Sequence, residues 1–383
     1  MSVVLDGSVE GVLADAHIRA AIDAGYVIVD ESRFSEKQIQ PASLDLTLGD
    51  VAHRLRASFL PGADSVEAKL KDLSQGTIDL TQNGFLEYNV PYLIELREQL
   101  ALPYWMRAKA NPKSSTGRLD VFTRVITDDN DQFDEIPREH RGRLFIEVVP
   151  ISFPIRVNPG LSLNQVRFMA GSVPRLSDDE IRHIHRKSPL LYRDGKPVPV
   201  DALPFPGERY LTVSNGLLVS VDLSGDEDGV VGYKARSHTR LLDLTTAERV
   251  EKTDFWEPVR AESGGRIVLE PEAFYLLLSR EGIAIPPGLA SEMVAYDPTS
   301  GELRTHYAGF FDPGFGHGKS APEGSRAALE VRAHDVPFVI EHGQAVCKLG
   351  FERMIEPPSR LYGADVQSHY QNQVTTLSKY FLR

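Results

Sequence analysis

Short alternations of apolar and polar residues, separated by Pro and Gly turns, run from the N-terminus to about position 160. This spacing predicts half-buried β-strands, for example at residues 38–49, 92–96 and 143–149. Residues 9–25 instead carry apolar side chains at helical intervals and end at Gly25, which predicts an α-helix. Regular short strands with little helix indicate a mainly β fold of the sandwich or barrel type.

A second helix and a polar stretch then interrupt the strands. Residues 177–187 begin with Ser177 and Glu180 in the spacing of a capping box, which predicts a helix. The polar, Pro-rich residues 194–206 that follow are interpreted as a linker. The expected organisation is a first domain at residues 1–175, a helical and Pro-rich linker at 176–206, and a second domain at 207–383.

The sequence of the first half returns beyond this linker. The run that begins at Tyr92 matches the run that begins at Tyr275, which sets a sequence offset of 183. The same offset relates Glu147 to Glu330, and residues 43–47 match residues 220–224 at an offset of 177. Chance does not hold one register over so long a stretch, so we expect two copies of one β-rich domain.

Composition limits the classes of protein to which the chain can belong. Of 383 residues, 42% are hydrophobic and 25% are charged, which is typical of a soluble globular protein. No apolar run of about 18 residues and no signal-peptide pattern is present, so we expect a cytoplasmic protein with no membrane partner. The formal net charge of −12 argues against a nucleic-acid surface, although a nucleotide could still bind where cations gather.

Residues 113–118 combine two cations, hydroxyl groups and a glycine, and they are expected to form a loop between strands. Such a loop suits a bound polyanion, although an ordinary solvated turn has a similar composition. The second copy lacks this loop, but it carries residues 308–315, including Asp312-Pro-Gly-Phe315, where the first copy has residues 127–134. Each copy therefore retains a different part of a site.

These motifs resemble those of the deoxycytidine triphosphate deaminases, which are relatives of the trimeric dUTPases. The resemblance lies in residues 40–49 and 113–118, the Asp312-Pro-Gly-Phe315 turn, the strands around Glu147 and Glu330, and the tail from Tyr362 to Gln373. It covers nearly the whole chain. It implies two tandem dUTPase-like distorted β-barrel (β-clip) domains with a few short helices.

The resemblance also implies hydrolysis of dCTP to dUTP and ammonia, with a glutamate as general base. Glu330 or Glu147 would be this base, Ser114 and the carbonyl of Ala308 would hold the water, and Arg118 would orient the glutamate. No protein-bound metal is expected, because the single cysteine, Cys347, excludes the Cys pair of zinc deaminases. Burial of a carboxylic acid raises its pKa, which would suit proton transfer near neutral pH.

The remaining implied site residues would contact the sugar, the base and the triphosphate; they are Lys113, Ser115, Asp312, Phe315, Tyr362, His369 and Gln373. Mg²⁺ would arrive with the triphosphate. Lys113 stands where the family usually has Arg, and His369 where it usually has Lys. Because the motifs are divided between the copies, we favour a site that combines residues 114–118 with Glu330, with Glu147 as the alternative base, in a homo-oligomer.

Other interpretations stay open at this point. A bifunctional enzyme could carry dCTP on to dUMP, although the single glycine of the tail, Gly363, disfavours a pure dUTPase. A regulator that binds deoxynucleotides without turnover is also compatible with the duplicated scaffold. His183 and His185 have no third ligand nearby in the sequence, so a metal site on the 177–187 helix is not expected.

Overall fold

The computed structural model describes residues 5–199, 213–294, 303–305, 309–318, 321–333, 335–363, 366, 370–371 and 376–382, with the backbone alone at 303–305. Contacts divide these residues into two compact units. The first unit holds those within 1–173 and 237–250 together with Leu382, and the second holds those within 174–236 and 251–381.

Short strands dominate residues 5–173. The strands are β1 Gly11–Val12, β2 Val27–Ile28, β3 Leu44–Leu46, β4 Leu48–Leu55, β5 Ser74–Asp79, β6 Phe85–Leu86, β7 Tyr92–Ala101, β8 Met106–Pro112, β9 Val121–Ile126, β10 Glu135–Ile136, β11 Arg141–Pro150, β12 Ile155–Arg156 and β13 Asn164–Ala170. The helices are α1 Asp15–Asp23, α2 Val66–Leu73, α3 Leu80–Asn83 and α4 Ser114–Gly117, with a 3₁₀ turn at Glu36–Gln38.

The later part of the chain is also mainly β. Helix α5 spans Asp178–Lys187, and a 3₁₀ turn spans Lys252–Asp254. The strands are β14 Leu191–Arg193, β15 Lys196–Pro197, β16 Leu217–Asp222, β17 Val230–Ala235, β18 Leu242–Asp243, β19 Trp256–Arg260, β20 Arg266–Leu269, β21 Phe274–Ile283, β22 Leu289–Val294, β23 Leu303–Thr305, β24 Phe310–Phe311, β25 Ser325–Ala333, β26 Phe338–Glu341 and β27 Ala345–Arg353.

Most strand pairs in each unit are antiparallel, and the strand order of each sheet is a linear path with two ends. In the first unit one sheet runs β1-β13-β8-β10 and another runs β5-β4-β7-β11-β9. In the second unit one large sheet contains the path β15-β14-β21-β16-β27-β22-β24, with β25 paired to β21. The mainly β prediction is confirmed, because the period-2 patterns of the sequence lie on strands with one buried face.

Strand register confirms the internal duplication. Glu147 on β11 faces Leu93 on β7, and Glu330 on β25 faces Leu276 on β21, so both partners obey the offset of 183. The Tyr92 hydroxyl accepts a hydrogen bond from the Glu87 backbone N–H at 3.1 Å. The hydroxyl of its counterpart, Tyr275, accepts the equivalent bond from the Glu270 N–H at 3.0 Å. Two copies that share such detail have the same local fold.

The predicted offset of 177 for the upstream strands is wrong. Leu46 of β3 pairs with Asn164, whereas Val219 of β16 pairs with Cys347, the counterpart of Asn164 at the offset of 183. This register relates Leu46 to Val219, an offset of 173. The sequence match failed here because Ser-x-Asp-Leu recurs a few positions away from the structurally equivalent segment.

The first helix begins later than its apolar pattern predicts. Gly11 and Val12 pair with β13, and helix α1 begins only at Asp15. Gly25 has a positive φ of 74° directly after the helix, as predicted for a residue that ends it. Helix α5 confirms the second prediction, because Ser177 and Glu180 form the expected capping box.

Each unit has its own apolar interior. In the second unit one buried cluster includes Val219, Leu277, Leu329 and Leu349, which lie on four neighbouring strands. No helix in the described part of the chain is long and apolar enough to cross a membrane.

Candidate active site

Residues 113–118 form a helical turn rather than the predicted loop. Strand β8 ends at Pro112, and the N–H groups of Thr116 and Gly117 both donate to the Lys113 carbonyl, at 2.8 and 3.0 Å. The resulting turn, α4, buries Thr116, and Arg118 at its C-terminal end is 4% exposed. The small residues Ser, Thr and Gly allow the backbone to turn this tightly against the sheet.

The cation at the start of this turn is tied to the first copy's strand β3. The Lys113 ammonium forms an ion pair with Asp45, while the Lys113 N–H donates to the Leu163 carbonyl at 3.0 Å. Ser114 is half-buried and Ser115 is buried. Lys113 and Ser114 are therefore partly exposed to solvent, whereas Arg118 is buried.

Glu147, the first candidate base, lies in a closed environment. Its side chain is fully buried, and its Oε1 accepts hydrogen bonds from Arg124 Nη2 at 2.6 Å and Nε at 3.1 Å. The Arg124 guanidinium lies over the rings of Phe133 and Phe122, at 3.7 and 4.5 Å from their centroids. The Glu147 carboxylate is therefore buried and paired with a guanidinium that also contacts two aromatic rings, while its Oε2 has no hydrogen-bond partner among the described residues.

Asp134, next to Phe133, is a titratable group that sequence reasoning missed. Its Oδ1 accepts a hydrogen bond from the Val125 N–H at 2.8 Å, and its backbone has a positive φ of 64°. Burial raises the pKa of Asp134 to about 7, against the opposing effect of the Val125 hydrogen bond and of the Arg124 and Lys109 charges. No motif singles out this residue, because its environment is created by the fold.

Glu330, the second candidate base, occupies the same register in the second copy. It lies on β25 between β21 and β23, and it is 7% exposed. Thr305 faces Val331 just as Thr123 faces Val148, so the residue that corresponds to Arg124 is His306. His306 lies outside the described residues, as do the predicted site residues Ala308, His369 and Gln373.

The Asp312-Pro-Gly-Phe315 turn is closed by a hydrogen bond from the Phe315 N–H to the Asp312 carbonyl at 3.1 Å. Gly314 has φ of 97°, and a Cβ there would lie 2.9 Å from the Leu361 Cβ and the Tyr362 backbone nitrogen. The Tyr362 N–H donates to the Pro313 carbonyl at 3.0 Å. A glycine is therefore required for this turn to contact the tail.

Aromatic rings and a glutamine join the turn to the tail. The Phe315 ring lies 5.1 Å from the Phe311 ring and 5.6 Å from the Tyr362 ring, measured between centroids. The Gln371 Oε1 accepts a hydrogen bond from the Gly316 N–H at 3.1 Å. The structure thus brings together the predicted residues Asp312, Phe315 and Tyr362. It adds Gln371, which lies within the predicted tail motif but was not singled out.

The first-copy counterpart of this turn is not residues 127–134, as the sequence comparison suggested. Strand β10 pairs Ile136 with Ala108, and β24 pairs Phe311 with Ser291, the counterpart of Ala108 at the offset of 183. Ile136 therefore corresponds to Phe311, and the turn corresponds to residues 137–140, in which Glu139 has φ of 63°. The unequal lengths of the preceding loops hid this correspondence.

Both ring nitrogens of His185, on helix α5, lie within hydrogen-bond distance of backbone groups. The His185 Nε2 lies 2.8 Å from the Val198 carbonyl oxygen, and the Nδ1 accepts a hydrogen bond from the Leu190 N–H at 3.1 Å. Within the described residues, no three His, Cys, Asp or Glu side chains gather as a metal-binding group. Cys347 is fully buried, and burial raises the pKa of its thiol.

Comparison with known proteins gives two adjacent family matches. Residues 9–172 match the N-terminal domain of 2'-deoxycytidine 5'-triphosphate deaminase, and residues 177–381 match its C-terminal domain. A crystal structure of 2'-deoxycytidine 5'-triphosphate deaminase from Agrobacterium tumefaciens superimposes with a TM-score of 0.81. That protein is 43% identical, and the match covers 90% of this chain and 99% of that one.

Curated relatives match about half of the chain. The dCTP deaminase of Haloarcula marismortui is 30% identical over 166 residues, which are 43% of this chain and 82% of the relative. A dUMP-forming dCTP deaminase of Methanosphaera stadtmanae is 27% identical over 196 residues, 49% of this chain and 92% of the relative. Each relative thus has the length of one copy, in agreement with the duplicated register.

Proposed function

Because the chain belongs to the 2'-deoxycytidine 5'-triphosphate deaminase family, we propose that it hydrolyses dCTP to dUTP and ammonia. The reacting residue is assigned from the different surroundings of two glutamates that occupy equivalent strand positions in the two copies. Glu147 is buried and paired with Arg124, whose guanidinium contacts two aromatic rings, whereas Glu330 belongs to the copy that retains the Asp312 turn. Glu330 is therefore the general base in this proposal.

The reaction needs a group that can both remove and return protons. Glu330 takes a proton from water as the water oxygen bonds to C4 of cytosine, and it delivers this proton to N3. It then moves the proton of the new hydroxyl to the amino nitrogen, the C4–N bond breaks, and ammonia leaves as C4=O forms. In this proposal one carboxyl group therefore acts as base and as acid in turn.

The helical turn at residues 113–118 supplies the complementary polar groups. In this proposal Ser114 and the Ala308 carbonyl hold the water, Arg118 orients the base, and Lys113 and Ser115 bind the triphosphate, which brings Mg²⁺ with it. The partly exposed Lys113 and Ser114, close to a buried Arg118, support these roles. Lys113 would bind phosphate as a point charge, without the two-pronged geometry of an arginine.

The second copy supplies the contacts to the base and sugar. Asp312 and Phe315 would border the base, and the tail residues Tyr362, His369 and Gln373 would cover the sugar and phosphates. The contact of Tyr362 with the Asp312 turn supports this arrangement. Because each copy keeps only part of the machinery, we also propose that the active form is a homo-oligomer.

A second candidate function is direct formation of dUMP. It is favoured by relatives named as dUMP-forming, such as that of Methanosphaera stadtmanae. In that case the chain would also hydrolyse the triphosphate of the deaminated nucleotide before release. A regulator that binds deoxynucleotides without turnover is the third candidate.

Product analysis tests these candidates directly. The chelator-treated protein is incubated with dCTP and Mg²⁺, and ammonia, dUTP and dUMP are quantified by chromatography over time. Ammonia with accumulating dUTP is the expected result, whereas dUMP without a dUTP phase would replace the proposal by the bifunctional enzyme. Retained dCTP binding without ammonia would overturn the enzyme assignment.

A pair of serine variants connects the activity to the turn. Ser114→Ala is expected to lower kcat by roughly 100-fold because the water loses a hydrogen-bonding partner. Ser65→Ala removes an exposed helix-cap hydroxyl of the same unit and is expected to leave kcat within about twofold of the original value. Equal loss in both variants would indicate a general effect on folding rather than a role for Ser114.

A further inference from the structure

Each unit contains a cavity lined by arginines at the same place in its duplicated fold. In the first unit a cavity of about 630 Å³ is lined by Arg97 and Arg143, among others. In the second unit a cavity of about 670 Å³ is lined by their counterparts at the offset of 183, Arg280 and Arg326. Duplication has therefore preserved the same two guanidinium groups in both cavities. The first-unit cavity is also lined by a third arginine, Arg33.

A glycine lies against one arginine in both cavities. A Cβ on Gly160 would lie 2.9 Å from the Arg97 Nη1, and a Cβ on Gly343 would lie 3.0 Å from the Arg280 Nη1. Both glycines have positive φ, of 82° and 76°. The guanidinium thus lies against the backbone of an equivalent turn in each copy.

The first-unit arginines are neutralised by carboxylates. Arg97 Nη2 lies 3.2 Å from the Asp50 carboxylate. Arg143 pairs with Glu67 at 2.7 Å and with Glu95 at 3.4 Å. The third arginine of this cavity, Arg33, lies 3.6 Å from both Asp30 and Asp50. All three guanidinium groups are therefore compensated, and an added anion would have to displace a carboxylate.

The second unit has lost part of this compensation. The counterpart of Glu95 is Leu278, and the Asp222 carboxylate pairs with Arg326. Burial raises the pKa of Asp222, but hydrogen bonds from Ser224 and the charge of Arg326 outweigh this effect, so the pKa lies below its ordinary value. Arg280 makes no ion pair or hydrogen bond with any residue that the structure describes.

A second donor lies next to Arg280. The Nδ1 of His342 accepts a hydrogen bond from the Leu223 N–H at 3.0 Å and lies 3.4 Å from the Asp222 Oδ1. With Nδ1 as the acceptor, the neutral ring carries its proton on Nε2. His342 directly precedes Gly343, on which Arg280 lies, and it also lines the cavity. The first copy has Pro159 at the position of His342, so duplication has not placed this donor in the first-unit cavity.

We propose that the second-unit cavity binds a phosphate group through Arg280 and His342. The planar guanidinium and the imidazole N–H match the oxygens of a phosphate. Asp194 and Glu323, which are exposed lining residues of the same cavity, disfavour a long polyanion such as a triphosphate. The ligand is therefore inorganic phosphate or a phosphate monoester, bound at a place other than the nucleotide site proposed above.

Calorimetric titration of the full-length protein with inorganic phosphate and, separately, with dUMP tests this site. Arg280→Gln is compared with Arg97→Gln, which removes the corresponding but already paired guanidinium. Phosphate that binds at Lys113 contributes equally to all proteins, so the difference between variants reports on the cavity. The measurement needs no turnover and is independent of the proposed reaction.

Arg280→Gln is expected to weaken one class of binding sites at least tenfold, and Arg97→Gln is expected to leave all classes unchanged. Arg280→Lys should give an intermediate loss, because it keeps the charge without the fork. Tighter Arg280-dependent binding of dUMP identifies a nucleotide monophosphate as the ligand, and equal or tighter binding of inorganic phosphate identifies the free ion. Unchanged titrations in Arg280→Gln, or an equal loss in Arg97→Gln, would overturn the proposal.

Discussion

At the scale of single residues, the partners of a carboxylate determine what it can do. Glu147 and Glu330 share a strand position, and Glu147 is paired with an arginine that contacts two phenylalanine rings. The sequence could identify both glutamates through the offset of 183, and the division of the motifs favoured Glu330, but it gave no information on the surroundings of either carboxylate. The choice depends on Arg124 and Phe133, which have no motif and come together only in the folded chain.

Asp134 gives a prediction that depends on pH. Its pKa in the folded protein is about 7, raised by burial from a reference value of 3.8, so the folded state holds a proton that the unfolded state releases between these values. The free energy of unfolding should therefore fall as pH rises from about 4 to 7. Asp134→Asn cannot ionise and keeps an acceptor for Val125, so it should gain up to about 4 kcal/mol relative to the original protein at pH 8.

Urea unfolding at pH 5 and pH 8 measures this difference. The advantage of Asp134→Asn should be small at pH 5 and large at pH 8. An advantage that does not change with pH would show that Asp134 titrates normally.

At the scale of strands and turns, backbone pairing shows which residues of the two copies are equivalent, whereas a fixed sequence offset fails where loop lengths differ. The long strands β7, β11, β21 and β25 were predictable because their alternating patterns match at one offset. Short segments next to loops of unequal length were not, and so the Asp312 turn was compared with the wrong residues of the first copy. Backbone pairing places residues 137–140 there, with a glutamate at the position of Gly314.

The two turns predict opposite effects of substitution. Gly314→Ala should destabilise the second unit by about 1–3 kcal/mol and raise KM, because the new Cβ meets Leu361 and Tyr362 at positive φ. Glu139→Gly should change stability by less than about 1 kcal/mol, because a glycine adopts the φ of 63° without strain but loosens the unfolded chain. Thermal unfolding and steady-state kinetics measure both. Equal KM values in the two variants would contradict a role for the turn in binding.

A buried glutamate anchors the same strand in both copies. Glu98 accepts hydrogen bonds from the Thr47 N–H and hydroxyl at 2.8 and 2.7 Å, and Glu281 accepts the equivalent pair from Ser220 at 2.8 and 2.6 Å. Glu98→Ala should cost about 2–4 kcal/mol, because it leaves buried donors unpaired. Each glutamate has one further partner at 2.8 Å, the neutral Gln38 amide for Glu98 and the charged Arg193 guanidinium for Glu281. Glu281→Ala should therefore cost more, about 3–5 kcal/mol, because it leaves a charge unpaired. Urea unfolding checks this order, and a larger loss in Glu98→Ala would contradict it.

At the scale of the whole molecule, the duplication could be predicted from the sequence. The distribution of site residues between the two copies could be predicted only in part. Matching sequence runs indicated two copies of one domain. The second copy lacks the equivalent of residues 113–118, which suggested a site built from both copies. The sequence did not reveal that Glu147 in the first copy is buried against Arg124. Nor did it reveal that Arg280 in the second copy has no ion pair with any residue that the structure describes. Both features arise from contacts between strands that are distant in the sequence.

The proposed oligomer makes a prediction about mixtures. If the turn and the glutamate act together across subunits, mixing unfolded Ser114→Ala and Glu330→Gln proteins in equal amounts and refolding them should restore roughly a quarter of the original activity. Each variant alone, refolded in the same way, serves as the control. A mixture no more active than its components would show that every site is built by a single chain.

The assignment of Glu330 as the general base is tested most directly by the rate of ammonia release from dCTP by Glu330→Gln and Glu147→Gln, each checked for folding by thermal unfolding. Glu330→Gln is expected to lose activity roughly 1,000-fold, because an amide cannot shuttle protons. Folded Glu147→Gln is expected to keep activity within about tenfold of the original, because Glu147 pairs with Arg124 and takes no part in the reaction. An active Glu330→Gln beside an inactive, folded Glu147→Gln would contradict this assignment and place the chemistry in the first copy.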